Sequence, residues 1–232
     1  MKYIFRLFLI SPFCVFSQTD ISLAEKLYYQ EKYTLAKPIF IEFLKENPNN
    51  LKAIEYLGDI EGKSESWDKA MFYYEKLKWL RPKEANYYYK FGGCLGMKAK
   101  ESNKFKALGM IGDIKTSFEK AIELNPNHIE ARWALIELYL QLPGIVGGSE
   151  RKAQKYANEL LKISPVDGYL SKGHIAEYFA RYKEAEKNYI KANSMGHSKN
   201  TFQKLYKLYF YKLKDLGKAK LLKNDFEKNN PS

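Results

Sequence analysis

Residues 66–82 read SWDKAMFYYEKLKWLRP. Trp67, Ala70, Tyr74 and Leu77 recur at intervals of three and four, the spacing that puts side chains on one face of an α-helix. Pro82 then ends the helix, because proline has no amide hydrogen to continue the hydrogen-bond ladder. The pattern recurs outward in both directions. Small or apolar residues stand at Ala36, Ala70, Ile114, Ala153, Ala185 and Ala219, at intervals of 34, 44, 39, 32 and 34 residues. An aromatic follows four positions after most of them (Phe40, Tyr74, Phe118, Tyr189). Seven positions after comes Phe43, Leu77, Ala121, Leu160, Ala192 or Phe226. Twelve after comes Pro48, Pro82, Pro126, Pro165 or Pro231. A period of this length marks a stacked array of supersecondary units.

The array resembles the tetratricopeptide repeat (TPR) family, whose unit is a 34-residue helix–turn–helix. SWDKAMFYYEKLKWLRP and SFEKAIELNP (residues 117–126) lie close to that family's consensus. The resemblance covers roughly residues 18–231. It implies an all-α fold, a TPR solenoid of about six helix–turn–helix repeats forming a right-handed superhelix. The repeats fall at approximately 18–50, 51–84, 85–128, 129–166, 167–199 and 200–232. The physics agrees: one hairpin cannot bury its apolar face, whereas stacked neighbours can. The small residue at each rung, with Gly58, Gly92 and Gly173 on the facing helix, lets paired helices approach closely. The two longer intervals predict long inter-helix loops near 99–111 and 142–149. The tract from residue 111 to 153 also resembles divergent TPR proteins of the regulator-of-microtubule-dynamics and TRAP-transporter T-component type, which implies a non-enzymatic adaptor.

Composition narrows the classes. A mean hydropathy of −0.50 excludes a multi-spanning membrane protein, and 45% hydrophobic residues allow a buried core. The formal net charge is +12, from 39 Lys+Arg against 27 Asp+Glu. Residues 1–17 read as a cleaved secretory signal: Lys2 and Arg6 precede an apolar run from Leu7 to Phe16, and Val15 and Ser17 suit the small-residue cleavage rule. Removal of the segment lowers the net charge to +10 and leaves Cys94 as the single cysteine. The expected location is therefore exported, periplasmic or associated with the cell envelope.

No constellation for chemistry emerges. There is no Gly-x-Ser-x-Gly elbow, no dinucleotide fingerprint and no His-Glu-x-x-His. The Gly-rich loop at 143–149 lacks the Lys-Ser/Thr ending of a phosphate loop and reads as a helix cap, a turn and an N-cap at Ser149. His128, His174 and His197 read as surface or groove histidines. The chain is expected to be no enzyme and to hold no cofactor and no metal.

In TPR proteins the first helix of each hairpin lines the concave face. The resemblance places Glu55, Asp59, Tyr89, Trp133, Glu137 and His174 in that groove, as partner-binding residues. Most lysines fall on second helices or loops, so the outer surface is basic while the groove carries acids. The function implied is an exported scaffold or adaptor binding a protein or peptide partner, not nucleic acid. Two alternatives stand beside it. One is a small-ligand or transport accessory protein. The other is an envelope-associated structural protein whose basic face contacts anionic membrane or polysaccharide.

Overall fold

The computed structural model describes residues 21–229, which form twelve α-helices and no strand. The predicted signal segment, and Pro231, lie outside the described residues. The helices pair as α1 (Ile21–Tyr29) with α2 (Tyr33–Glu46), α3 (Leu51–Lys63) with α4 (Trp67–Leu80), and α5 (Ala85–Glu101) with α6 (Lys104–Leu124). They continue as α7 (Ile129–Gln141) with α8 (Glu150–Ile163), α9 (Pro165–Tyr178) with α10 (Tyr182–Gly196), and α11 (Lys199–Lys207) with α12 (Leu216–Asn229). A π-helical turn, Leu208–Leu213, prolongs α11. Each hairpin packs on the next, so the fold is an all-α TPR-type solenoid.

The repeated residues make the contacts their spacing predicts. Ala36, Ala70, Ala153 and Ala185 are completely buried, and Ile114 and Ala219 nearly so. Opposite them, a Cβ at Gly58 would lie 2.9 Å from the Tyr74 ring, and at Gly92 2.9 Å from Ser117 and 3.0 Å from Phe118. A Cβ at Gly173 would lie 2.4 Å from Tyr189. Each glycine is therefore the seat for the aromatic ring of its own hairpin. The second helices stop as proline requires, with Asn47, Arg81 and Asn125 capping α2, α4 and α6 immediately before Pro48, Pro82 and Pro126. First helices start on side-chain caps: Asn50 accepts from the Ala53 amide, and Ser198 and Thr201 form a reciprocal capping box.

The turns inside the hairpins are tight. Glu31, Glu65, Ala180 and Lys214 adopt left-handed backbone conformations there, and Gly147 does so in the fourth hairpin. That fourth connection runs from Leu142 through a 3₁₀ turn (Gly144–Val146) to Ser149, whose hydroxyl accepts from the Lys152 amide.

The long loop expected at 99–111 is a correction. The chain there is helical, and only Ser102 and Asn103 connect α5 to α6. Asn103 accepts from the Lys106 amide and starts α6 ten residues before its first buried side chain, Ile114. The extra residues therefore lengthen the helices, to 17 and 21 residues, instead of opening a loop. Ala107, Met110 and Ile111 share the helix face of Ile114, which extends the packing stripe. Gly109 and Gly112 lie on exposed positions where a Cβ would meet nothing. Glycine in an open helix interior costs about 1 kcal/mol relative to alanine. A Gly109→Ala/Gly112→Ala double variant should therefore gain roughly 2 kcal/mol in urea denaturation. No gain would show that this segment is not helical in solution.

Candidate interaction groove

The first helices α1, α3, α5, α7, α9 and α11 form one row, and polar side chains bridge α1 to α3, α3 to α5 and α7 to α9. At one end Lys52 on α3 pairs with Glu25 on α1 at 2.7 Å. Next, the Lys90 ammonium on α5 reaches back to both predicted acids of α3, Glu55 at 2.7 Å and Asp59 at 2.8 Å. Asp59 also accepts the Tyr74 hydroxyl at 2.5 Å and the Tyr28 hydroxyl at 3.3 Å. Burial pulls the Lys90 pKa down, but the hydrogen bonds it donates to Asp59 and Glu55, and their charges, outweigh it and hold it above the ordinary lysine value. Glu55 and Asp59 are thus brought together and already neutralised in part.

Sequence reasoning misses Lys90. Its signal is its separation: it stands 31 residues after Asp59 and 35 after Glu55, one repeat on. Trp133 and Asp167 follow the same rule at 34 residues, the indole donating to the carboxylate at 2.9 Å. Partners one repeat apart sit on adjacent first helices.

The second group forms between α7 and α9. His174 Nε2 and Glu137 Oε1 approach to 2.6 Å, and the Trp133 and His174 rings lie 6.2 Å apart. Contact with His174 holds the Glu137 carboxyl below the usual range, against the opposing effect of burial; the Gln141 amide and the Lys204 charge add to it. The structure therefore brings Trp133, Glu137 and His174 together, with Asp167 as their support. Glu137 remains 42% exposed at its side chain.

Tyr89 joins neither group. Its ring lies 5.1 Å from His128 and 6.0 Å from Phe118, in the elbow between α5, α6 and the start of α7. The expectation that His128 is a surface or groove histidine is also corrected. It is buried, and its Nδ1 accepts from the Ala131 amide as the N-cap of α7. Burial lowers its pKa, which keeps the ring neutral and able to accept. His197 caps the exposed end of α10 in a left-handed conformation.

Among the described residues no three His, Cys, Asp or Glu side chains gather where a metal ion could bind. Cys94 is buried beside Asp59 and Lys90, and desolvation pushes its thiol up to about 11, so it is inert as a nucleophile near neutral pH. On the outer face, α6 and α8 edge a cleft of about 410 Å³ lined by Lys115, Arg151, Lys152, Lys155 and Glu119 over the Tyr139 and Tyr156 rings. No described helix is long and apolar enough to cross a membrane.

No protein-family model matches the chain, and no curated protein matches it. Solved structures do. TTC0263, a thermophilic TPR protein of Thermus thermophilus, superposes with a TM-score of 0.65 over 82% of this chain and 97% of its own, at 17% identity. PilW, a widely conserved type IV pilus biogenesis factor, gives 0.64 over 90% and 91%, at 16% identity. YrrB, a TPR protein with an unusual peptide-binding site, gives 0.53 over 80% and 91%, at 17% identity. These likenesses establish the fold as that of TPR proteins. A tetratricopeptide repeat protein from Parabacteroides merdae superposes as well, with a TM-score of 0.60 over 90% of this chain and 76% of its own, at 17% identity.

Proposed function

We propose that this chain is an exported, non-enzymatic TPR scaffold that binds a protein or peptide partner along its row of first helices. The observation that carries the reading is the half-exposed group Trp133, Glu137 and His174 between α7 and α9. It offers an aromatic edge, a carboxylate of depressed pKa and an imidazole within one contact distance, held from behind by Asp167. Such a set suits a peptide segment that places an amide or a cation against Glu137 and an apolar side chain against Trp133. Lys90 alters the charge expected of the groove. The Glu55–Asp59 end is partly neutralised by Lys90, while Glu137 keeps 42% of its side chain exposed to a partner.

The peptide-binding site of YrrB and the pilus role of PilW support a protein partner by analogy of fold alone. A Trp133→Ala/Glu137→Lys double variant should keep its helical circular dichroism and lose the partner recovered by the unaltered protein in pull-downs from the native envelope. The reversed charge beside His174 and Lys204 repels what Glu137 attracts, a loss of at least about tenfold in affinity. Equal partner recovery would remove this group from the binding surface.

A further inference from the structure

The two long edges of the solenoid differ. One edge holds the turns inside hairpins, and the other holds the turns between hairpins. The turns between hairpins are polar, as in Asn47–Asn50, Arg81–Glu84 and Asn125–His128, and the large exposed apolar residues close to that edge are Leu23, Trp79 and Met195. The inner-turn edge is apolar at one hairpin after another. Phe105 is 87% exposed at the start of α6, and Ile145 is 96% exposed in the 3₁₀ turn. Phe179 caps α9, and Tyr211 (64%) and Leu216 (61%) flank the last turn.

Phe179 lies against Tyr178 and the Arg181 guanidinium, and Tyr211 against Phe210, but Phe105, Ile145 and Leu216 stay open to solvent, and packing does not call for them there. The α6 case is clearest. Its packing stripe runs through Ala107, Met110, Ile111 and Ile114, and Phe105 lies on the opposite side of the helix. Cations surround the same tips. Lys100, Lys104 and Lys106 are exposed on the lengthened third hairpin, and Lys212 and Lys214 on the sixth. None of these five has a carboxylate partner among the described residues. Tyr29 and Leu35 are exposed at the first turn too, beside Glu31. The later turns also hold acids, but each has a partner: Glu101 accepts from the Trp67 indole, Glu150 and Glu184 pair with Arg181, and Asp215 pairs with Lys218. The unpaired charge at hairpins three and six is therefore basic.

We propose that the inner-turn edge of hairpins three to six docks on an anionic lipid bilayer. Its apolar tips enter the headgroup region, and its lysines meet the lipid phosphates. The distribution of the side chains selects this occupant. The tips are separate, one per repeat, whereas a protein interface needs a contiguous dehydrated core of about 800 Å² on each partner. A bilayer accepts each tip independently to a depth of roughly 5–10 Å, and its mobile headgroups adjust to scattered lysines. The first-helix groove stays open in this arrangement, so the inference is independent of the partner proposed above.

The test uses the full chain with vesicles of phosphatidylglycerol mixed into phosphatidylcholine, read by co-sedimentation. The protein should bind these, ignore pure phosphatidylcholine, and dissociate as salt rises. A Phe105→Ser/Ile145→Ser/Leu216→Ser variant, with unchanged circular dichroism, should bind at least about tenfold more weakly. A Trp79→Ser/Met195→Ser variant of the opposite edge should bind as the unaltered chain does. Failure to bind the anionic vesicles overturns the proposal. So does equal binding by the triple variant, which would mean adsorption by net charge alone. Equal loss in the opposite-edge variant also overturns it.

Discussion

Replacing Gly168 by alanine should lower the melting temperature by roughly 6–12 °C. The reason is a backbone collision. A Cβ at Gly168 would lie 2.3 Å from Leu161 Cα and 2.6 Å from its amide nitrogen. Helices α8 and α9 meet there through one residue, Ser164, which caps the end of α8 and the start of α9. No rotamer change relieves the clash, so the two helices must move apart, at a cost of about 3 kcal/mol by analogy with overpacked cores. Gly173→Ala meets the Tyr189 ring instead, and that ring is fully buried with its hydroxyl donating to Glu177 at 2.8 Å. Its loss should approach that of Gly168→Ala. Gly62→Ala, where a Cβ meets nothing, serves as the control and should not lower the melting temperature. Thermal melts that leave all three variants level would refute the close approach of α8 and α9.

The contrast between Gly173 and Gly168 shows what the sequence discloses. Gly173 belongs to the repeat: it stands twelve residues before Ala185, where Gly58 stands before Ala70. A contact every hairpin must make leaves a periodic trace, which is why the rungs, the aromatics and the terminal prolines are legible directly. Gly168 answers to one junction and has no counterpart, so periodicity is silent about it. The same division runs through the groove. Register alone places Glu55, Asp59, Glu137 and His174 on first helices. It does not place their partners, because Lys90 reaches its two acids through a long flexible stem. The extra residues of the third repeat escape the sequence for a related reason. An interval of 44 fixes how many residues are inserted but not their conformation. That is decided locally, by the Asn103 cap and the stripe from Ala107 to Ile114.

The tyrosines dictate how the fold should fail at high pH. Tyr74, Tyr156, Tyr189 and Tyr209 are buried, each with its hydroxyl against a carboxylate: Asp59, Glu119, Glu177 and Glu186 respectively. Desolvation first, and then the neighbouring negative charge, raise all four pKa values, that of Tyr209 to about 12. An unfolded tyrosine ionises near pH 10. Above that pH the unfolded chain releases four protons that the folded chain keeps, so stability falls as pH rises. Each group contributes about 1.4 kcal/mol per pH unit, which makes roughly 5–6 kcal/mol per unit for the four. Lys90 acts in the same direction. Its folded value is raised, so its ion pairs stabilise fully below the unfolded lysine value and are lost as pH climbs through the folded one. Set against a total stability of about 5–15 kcal/mol, these losses unfold the protein between about pH 11 and 12. The expected result is one steep transition in which helical circular dichroism disappears as tyrosinate absorbance jumps. A gradual tyrosinate titration centred near pH 10, with the helices intact, would mean that these hydroxyls are not held against carboxylates in a dry interior.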